Sequence, residues 1–227
     1  DADPAFVVNE GTVIMDGSSF SSSGGYFIGT DLTSTTARTI LTNGASLLLT
    51  SGAMLTVGDI DSAVTSHLDI YNSTIDLSDG ILALPFSGGA TGVVTQIGGS
   101  VSNVLLSFSD DGEGEGSYTI QNGTLSAVQI VEYTPGNSSM YFDNAILRTA
   151  PSADVAFMSG LDIAEIQSGG LTIDASVDVN IDQELSGSGA LTKTGANSVT
   201  LNGANIYTGD TTISAGTLAI GEFGSIA

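Results

Sequence analysis

The sequence lacks cysteine and tryptophan, and only three of its 227 residues are Lys or Arg. Without cysteine, the chain can form neither a disulfide framework nor a thiolate metal site. The basic residues are Arg38, Arg148 and Lys193, and they stand against 25 acidic residues, which gives a net charge of −22. Nucleic-acid binding and attachment to an anionic membrane both need clustered basic side chains. The composition therefore argues against both functions.

Long hydrophobic runs and helical patterns are also scarce. No apolar run approaches the roughly 20 residues that a membrane helix requires, and the N-terminus shows no signal-peptide pattern. Charged residues make up only 12% of the chain and hydrophobic residues 41%, so a core can form. The best helical candidate is the segment 153–166, which fits two short strands on either side of Gly160 equally well.

Strand-like alternation, by contrast, recurs along the whole chain. Short segments with apolar residues two apart are bounded by Gly or Asn, which is typical of short, half-buried strands. We therefore predict that the alternating residues point into a core. They are Leu47, Leu49, Leu55, Val57, Leu68, Ile70, Ile75, Leu77, Leu82, Leu84, Leu171, Ile173, Val177, Val179, Ile181, Val199, Leu201, Ile206, Ile213, Leu218 and Ile220.

A second regularity is a Gly placed just before a strand start, as in Gly170-Leu171. Several of these starts recur at intervals of 19 to 27 residues. A loose repeat of short strands and turns is what a β-solenoid needs, because each unit can form one coil that stacks on the next. A β-sandwich also shows strands at short, regular spacing and remains the alternative. No interior linker stands out, so we predict one all-β domain over residues 1–227.

The closing segment carries a recognisable motif. It resembles the autotransporter-associated β-strand repeat, also called the passenger-associated transport repeat, over residues 189–220. The pattern L-x-K-x-G-x-G-x-x-x-L-x-G-x-N-x-Y-x-G-x-T-x-I-x-x-G-x-L is matched at twelve positions, with Asn197 in place of the second Gly. The matching residues are Leu191, Lys193, Gly195, Leu201, Gly203, Asn205, Tyr207, Gly209, Thr211, Ile213, Gly216 and Leu218.

The resemblance implies a right-handed parallel β-helix in the passenger of a bacterial protein exported across an outer membrane. It also implies that the repeat serves export and folding and that its Gly and Asn residues turn the corners of a coil. We therefore expect a non-catalytic structural or adhesive segment that is secreted or held at the cell surface. A surface or glycan ligand fits this function, whereas insertion into the membrane by this segment does not.

The alternative function is a polysaccharide-processing enzyme, a lyase or a glycosidase, on the same scaffold. Lyases of acidic sugars need a base and cationic partners, yet Arg38, Arg148 and Lys193 lie far apart in the sequence. Glycosidases need two carboxylates at a defined separation, and among 25 acidic residues some pair will always fit. His67 has no evident nucleophile partner, and neither G-x-S-x-G nor H-E-x-x-H occurs. We expect no catalytic and no cofactor-binding residues, unless a basic residue shares a groove with two acids.

One acidic segment has the spacing of half a calcium loop. Asp111, Glu113 and Glu115 lie two residues apart and are followed by Gly116. Alternate carboxylates of an extended loop project to one side, where a hard cation could bridge them. The other interpretation is an acidic loop between two strands, because position twelve of the pattern would be Asn122. Calcium at these three residues is the one metal site that the sequence suggests.

Two further expectations concern the Thr-rich segments and the ends. Segments such as LTSTTARTILT suggest a binder of ice or crystal faces, which requires Thr at one position in several coils; the sequence alone shows no such row. At the N-terminus, Asp1, Asp3 and Pro4 suit a cap, whereas Phe223 and Ile226 near the C-terminus do not. We therefore expect the last coil to be open, and to meet more of a passenger chain or a neighbouring subunit.

Overall fold

The fold is described here from a computed structural model for residues 6–29, 36–50, 52–58, 65–85, 89–108, 114–134 and 137–226. These residues form 24 strands: β1 Phe6–Val8, β2 Gly11–Asp16, β3 Ser19–Ser22, β4 Tyr26–Ile28, β5 Thr36–Thr42, β6 Ser46–Leu49, β7 Met54–Val57, β8 Thr65–Tyr71, β9 Thr74–Leu84, β10 Thr91–Ile97, β11 Ser100–Phe108, β12 Glu115–Gln121, β13 Thr124–Glu132, β14 Asn137–Asp143, β15 Ala145–Thr149, β16 Ala156–Ser159, β17 Ile163–Ile166, β18 Leu171–Asp174, β19 Val179–Ile181, β20 Ser186–Gly187, β21 Leu191–Thr194, β22 Ser198–Leu201, β23 Thr211–Ile213 and β24 Thr217–Ile220.

The segment 153–166 holds two strands, β16 and β17, so the two-strand interpretation is confirmed. Gly160 lies between them with a φ of +89°, a left-handed backbone that glycine adopts without steric cost. No helix occurs in the described ranges. Accordingly, none of the described residues forms a helix long and apolar enough to cross a membrane.

The strands stack as a parallel β-solenoid of about 8 turns, which confirms the predicted β-helix and excludes the sandwich. An eight-stranded sheet, β2-β5-β8-β10-β12-β14-β17-β20, forms one side of the coils. A sixteen-stranded sheet forms two further rows, one from β3 to β23 and one from β1 to β24. The long strands β9, β11 and β13 belong to both rows and join them.

The spacing between coils agrees with the loose repeat of the sequence. Leu171 pairs with Leu191, which pairs in turn with Thr211, so these coils repeat after 20 residues. Nearer the N-terminus the coils are longer, and Ala37 pairs with Ser66. Because each coil differs a little in length, identical positions in successive coils are not evenly spaced in the sequence.

The corner after the eight-stranded sheet is turned by asparagine and glycine. Asn43, Asn72, Asn122 and Asn144 have φ values between +47° and +55°. Asparagine tolerates this left-handed backbone better than most residues because its short polar side chain bonds locally. At one such step, Asn144 Nδ2 donates to Asn122 Oδ1 over 2.7 Å. Within the closing repeat, glycine takes this role, since Gly195 and Gly216 have φ values of +73° and +69°.

The core is a column of side chains stacked from coil to coil. At one inward position the paired residues run Leu47, Ile75, Val101, Leu125, Leu147, Ile173, Lys193 and Ile213. All but the last are almost completely buried. Aliphatic side chains at a fixed position in parallel strands about 4.8 Å apart contact one another directly, which removes their surface from water. Burial of this column therefore stabilises each coil through its neighbours.

Three of the predicted core residues are exposed, but the predicted inward direction was wrong only for Ile206. Ile206 is 57% exposed because Asn205 and Tyr207, on either side of it, point inward instead. Ile213 and Ile220 occupy inward positions in the last strands but are 53% and 44% exposed. In the described part of the chain, β23 and β24 each have a neighbouring coil on one side only.

Candidate functional site

The three basic residues are each engaged in holding coils together. Arg38 Nε lies 2.5 Å from Asp69 Oδ2 of the next coil, and Arg148 Nε lies 2.9 Å from Asp174 Oδ2. The hydrogen bond and the charge of Asp69 raise the pKa of Arg38. Each arginine therefore contacts one carboxylate that belongs to an adjacent coil. Neither lines the cavity described below.

Lys193 is completely buried within the aliphatic column of the core. Its Nζ donates to the backbone carbonyls of Thr194, Gly195 and Ala215, the last at 3.3 Å in the next coil. Burial lowers the pKa of Lys193 because desolvation disfavours the charged form, and the charge of Asp174 opposes this shift. Lys193 thus acts as a clamp, which means that its ammonium group joins the backbone carbonyls of two adjacent coils at a corner.

The other polar residues of the closing repeat also point inward. Asn205 is 2% exposed; its Oδ1 accepts from the Leu185 N–H at 2.8 Å, and its Nδ2 donates to the carbonyls of Gly203 and Ser225. Tyr207 is fully buried, and its hydroxyl lies 2.7 Å from that of Thr211. Asn205 therefore joins three successive coils. These residues satisfy backbone groups and leave no free functional group for a ligand.

His67 lies on the outer side of β8, in register with Arg38 of one neighbouring coil and Val93 of the other. It is half-buried and does not line the cavity. His67 is therefore an outward residue of the eight-stranded sheet.

Of the three suggested calcium residues, only Glu115 lies within the described part of the chain. Asp111 and Glu113 lie outside the described residues. Glu115 is exposed and is the first residue of β12. Among the described residues, no group of three or more His, Asp or Glu side chains could hold a metal ion. Calcium binding at Asp111, Glu113 and Glu115 stays a prediction. Asp1, Asp3 and Pro4, expected to cap the first coil, also lie outside the described residues.

A cavity of about 230 Å³ opens on the outer side of the eight-stranded sheet, where it crosses β10, β12, β14 and the start of β17. Alternation along β14 directs Met140 and Phe142 into the core and leaves Asn137, Ser139 and Tyr141 outside. The residues that form the cavity are Thr91, Glu115, Ser117, Asn137, Tyr141 and Asp162, with neighbouring Ser and Ile side chains. None of them was singled out as a lining residue from the sequence, although Glu115 was proposed as a metal ligand.

The floor of this cavity is rigidly connected to the core. Asp162 Oδ2 accepts from the backbone N–H of Ser138 at 3.1 Å, and the Asp162 N–H donates to Ser138 Oγ. Ser138 Oγ donates in turn to the buried Glu132 Oε2 at 2.6 Å. Gly116 lies in the same floor, where a Cβ would approach the Leu84 carbonyl oxygen to 2.3 Å, so no larger residue fits there. The cavity walls are therefore held in place before any ligand arrives.

The structure also aligns a row of hydroxyl residues that the sequence did not reveal. Thr172, Thr192 and Thr212 occupy one outward position in three successive coils. The same row continues toward the N-terminus with Ser19, Ser46, Thr74, Ser100, Thr124 and Ile146. The sequence alone does not show this row, because unequal coil lengths and the mixture of Ser and Thr conceal it.

Together, the stacked coils define a parallel β-solenoid, and Lys193, Asn205 and Tyr207 point into its core near the C-terminal end. Residues 191–220 match the family model of the passenger-associated-transport-repeat, so the chain carries this repeat, as its sequence indicated. The chain is also similar to the adhesin BmaC autotransporter of Brucella suis biovar 1 (strain 1330), with 35% identity over 158 residues. The match covers 65% of this chain and 4% of that adhesin, and the chain thus spans a small part of its relative. No solved structure matches the chain.

Proposed function

We propose that this chain is a structural and adhesive segment of an exported passenger and that it has no catalytic activity. The observation that carries the proposal is the inward orientation of Lys193, Asn205 and Tyr207. Lys193 and Asn205 bond to neighbouring coils, and Tyr207 bonds to Thr211 of its own coil. Such a repeat builds a scaffold and leaves its outer faces for contact with other surfaces. The similarity to a protein named an adhesin and autotransporter supports the same function. It also supports a location at the cell surface or in the medium.

The alternative function has two forms: a lyase of acidic polysaccharides needs a groove in which acids converge with a basic residue, and a glycosidase needs two carboxylates at a defined separation. The cavity on the eight-stranded sheet contains Glu115 and Asp162, but its lining includes no Lys, Arg or His among the described residues. Arg38 and Arg148 are paired with carboxylates elsewhere. This distribution of charge favours adhesion over catalysis on an acidic polysaccharide.

The proposal includes a partner for the last coil. Phe223 is 79% exposed and Ile213 is 53% exposed, next to strands β23 and β24. In the described residues each of these strands is paired on one side only, so a row of backbone N–H and C=O groups borders this apolar surface. A further parallel β-coil, from the passenger chain or from a neighbouring subunit, satisfies both the hydrogen-bonding groups and the apolar side chains.

Hydrogen exchange tests this edge, with a second copy of the chain as the covering coil. At low protein concentration, we expect amides of β23 and β24 to exchange faster than those of β21 and β22. As the concentration rises, copies that cover the edge should slow this exchange, and an Ile213→Lys variant should not show the effect. Slow, concentration-independent exchange at β23 and β24 would contradict the proposed partner.

Adhesion itself is tested with beads coated with the purified chain and applied to epithelial cells. Beads that carry the wild-type chain should adhere in greater number than albumin-coated beads. A double variant, Arg38→Gln with Arg148→Gln, should adhere equally well, because these side chains join coils and do not form the proposed contact surface. Circular dichroism confirms that the variant retains its strands. Adhesion at the level of albumin would refute the adhesive function.

A further inference from the structure

The outer cavity has the dimensions of a small-molecule site. Ligand pockets for drug-sized molecules have volumes of about 300–1,000 Å³. At about 230 Å³, this cavity is suited to a single small ring and not to a peptide or a nucleic acid. It lies on a regular sheet, where Glu115 pairs with Asn137 and Ser117 pairs with Ser139. Adjacent strands are about 4.8 Å apart, so these polar groups are held at fixed positions one strand apart and can contact different substituents of one ring.

One side of the cavity is aromatic. Tyr141 is half-buried on the outside of β14 and presents both an apolar ring and a hydroxyl group. Tyrosine is suited to ligands with apolar faces and polar edges, because its ring supplies contact area and its hydroxyl bonds to a partner. Ile163 adds a second apolar surface to the lining. The cavity thus offers a flat contact at one end and polar groups at the other.

The polar end is matched to hydroxyl groups. Carboxylates such as Glu115 and Asp162 accept hydrogen bonds only, whereas the Asn137 amide both accepts and donates. Asp162 uses one oxygen, Oδ2, for the backbone N–H of Ser138, and its Oδ1 makes no hydrogen bond within the described residues. A hydroxyl group can donate to the carboxylates and accept from the amide at the same time. Hydrogen bonds to an ionised acceptor are about twice as strong as neutral ones.

The charge of the cavity selects against acidic ligands. Glu115 and Asp162 are its only charged lining residues in the described part of the chain, and the whole chain has a net charge of −22. A sugar acid would bring a like charge into a site with no cation, which is unfavourable. A neutral sugar meets the hydroxyl-accepting groups without this repulsion.

We infer that this cavity binds one neutral sugar ring of a surface glycan, with a ring face on Tyr141 and its hydroxyl groups on Asn137, Glu115 and Asp162. The inference rests on the proposed adhesive function and names the ligand class of one site on that surface. A single shallow site of this size gives weak binding, and many copies of the chain at one surface strengthen it through avidity.

The test is a titration of the full chain with methyl glucoside, N-acetylglucosamine and glucuronate, followed by saturation-transfer NMR and chemical shifts. At least one of the two neutral sugars should bind with millimolar affinity, and glucuronate at least tenfold more weakly. Tyr141→Ala should weaken binding tenfold or more, and Tyr141→Phe less, because the ring remains. Tyr71→Ala is the matched control, since Tyr71 is an outward tyrosine of the same sheet outside the cavity. It should bind as the wild type does.

Three outcomes would overturn the inference: no sugar binds, glucuronate binds as tightly as the neutral sugars, or Tyr141→Ala binds unchanged. Thermal unfolding of each variant separates loss of the site from loss of the fold. Bead adhesion separates this inference from the proposed function. If wild-type beads adhere but no neutral sugar binds, the sugar site is refuted and adhesion stands; if beads do not adhere, the proposed function fails independently of the cavity.

Discussion

At the scale of single residues, polar side chains replace aliphatic ones at several positions inside the coils, and Tyr118 and Gln96 are hydrogen-bonded there. Tyr118 is completely buried, and its hydroxyl donates to Gln96 Oε1 over 2.7 Å. Gln96 Nε2 then donates to the Thr124 carbonyl oxygen at 3.1 Å in the following coil. A buried polar group costs free energy unless it is paired, so each of these networks fixes the register of the coils that it joins.

Tyr118 provides a test that depends on pH. Tyr118→Phe should lower the unfolding free energy by about 1–2 kcal/mol at neutral pH, because Gln96 Oε1 loses its donor. Burial raises the pKa of Tyr118 above its ordinary value, so the folded chain keeps the proton that the unfolded chain releases near pH 10. Wild-type stability from this residue is therefore complete below that pH and is lost above it. In urea unfolding, the difference in unfolding free energy between wild type and Tyr118→Phe should be smaller at pH 11 than at pH 7. An equal difference at both pH values would contradict the stabilising hydrogen bond of Tyr118.

Lys193 provides a second test at this scale. Lys193→Met should cost about 1–3 kcal/mol, because the carbonyls of Thr194, Gly195 and Ala215 lose their donor. Since burial lowers the pKa of Lys193, the unfolded chain binds the proton more tightly, and wild-type stability should rise relative to the variant as pH approaches about 10.4. Thr192→Ala, at the adjacent outward position, is the control and should change stability by about 0.5 kcal/mol or less. Equal unfolding midpoints for Lys193→Met and wild type would disprove the clamp.

At the scale of elements, strands and corners require different residue types. The strands need only alternation, and the corners need a left-handed residue such as Asn122 with a φ of +54°. Strand, turn and repeat could therefore be predicted from local patterns. The inward orientation of Asn205 and Tyr207 could not, since alternation alone placed Ile206 inside. Asn205 bonds to backbone groups of the two adjacent coils, and Tyr207 bonds to Thr211 within its own coil, and alternation does not reveal these contacts.

The corner residues can be tested at Asn122. Asn122→Ala should lower the unfolding free energy by about 1–2 kcal/mol, because a Cβ-bearing residue without a polar side chain is strained at positive φ and the bond to Asn144 is lost. Asn122→Gly should cost less, since glycine adopts this backbone freely. Chemical denaturation of both variants measures the difference. A glycine variant that is less stable than the alanine variant would show that φ does not govern this corner.

The connection between β11 and β12 carries the predicted calcium residues. Adding Ca²⁺ to the metal-free chain should raise the thermal unfolding midpoint if Asp111, Glu113 and Glu115 bridge the ion. A triple variant with Asn or Gln at these positions should not respond. Mg²⁺ serves as the ionic-strength control, because it prefers a smaller octahedral site. The same response to both ions, or the same response in the triple variant, would refute a specific site.

The sugar cavity could not be predicted because it depends on register between coils of unequal length. Thr91 pairs with Glu115, and Glu115 pairs with Asn137, although the two steps along the chain differ in length. The row of Thr172, Thr192 and Thr212 was missed for a related reason, since its other members mix serine, threonine and isoleucine. Sequence patterns indicate which residues face outward, but only the register between stacked coils shows which of these residues are neighbours.

At the scale of the whole molecule, the chain is a column of coils whose stability resides in contacts between neighbours. Repeat arrays of this kind gain stability from each interface between adjacent units. The arginine–carboxylate pairs Arg38–Asp69 and Arg148–Asp174 connect coils, and the remaining acidic groups leave the surface strongly negative. Such a surface disfavours anionic partners and agrees with a neutral ligand. We therefore expect this surface to bind its partner without changing the partner chemically.

Attachment and turnover can be measured together on one preparation. Beads coated with the chain are incubated with glycan-bearing cells, and adherent beads and newly released reducing sugar are counted over several hours. We predict adhesion that remains constant in time and reducing sugar at the level of albumin-coated beads. A steady rise of reducing sugar that is abolished by Glu115→Gln or Asp162→Asn would contradict the account and identify the cavity as an active site.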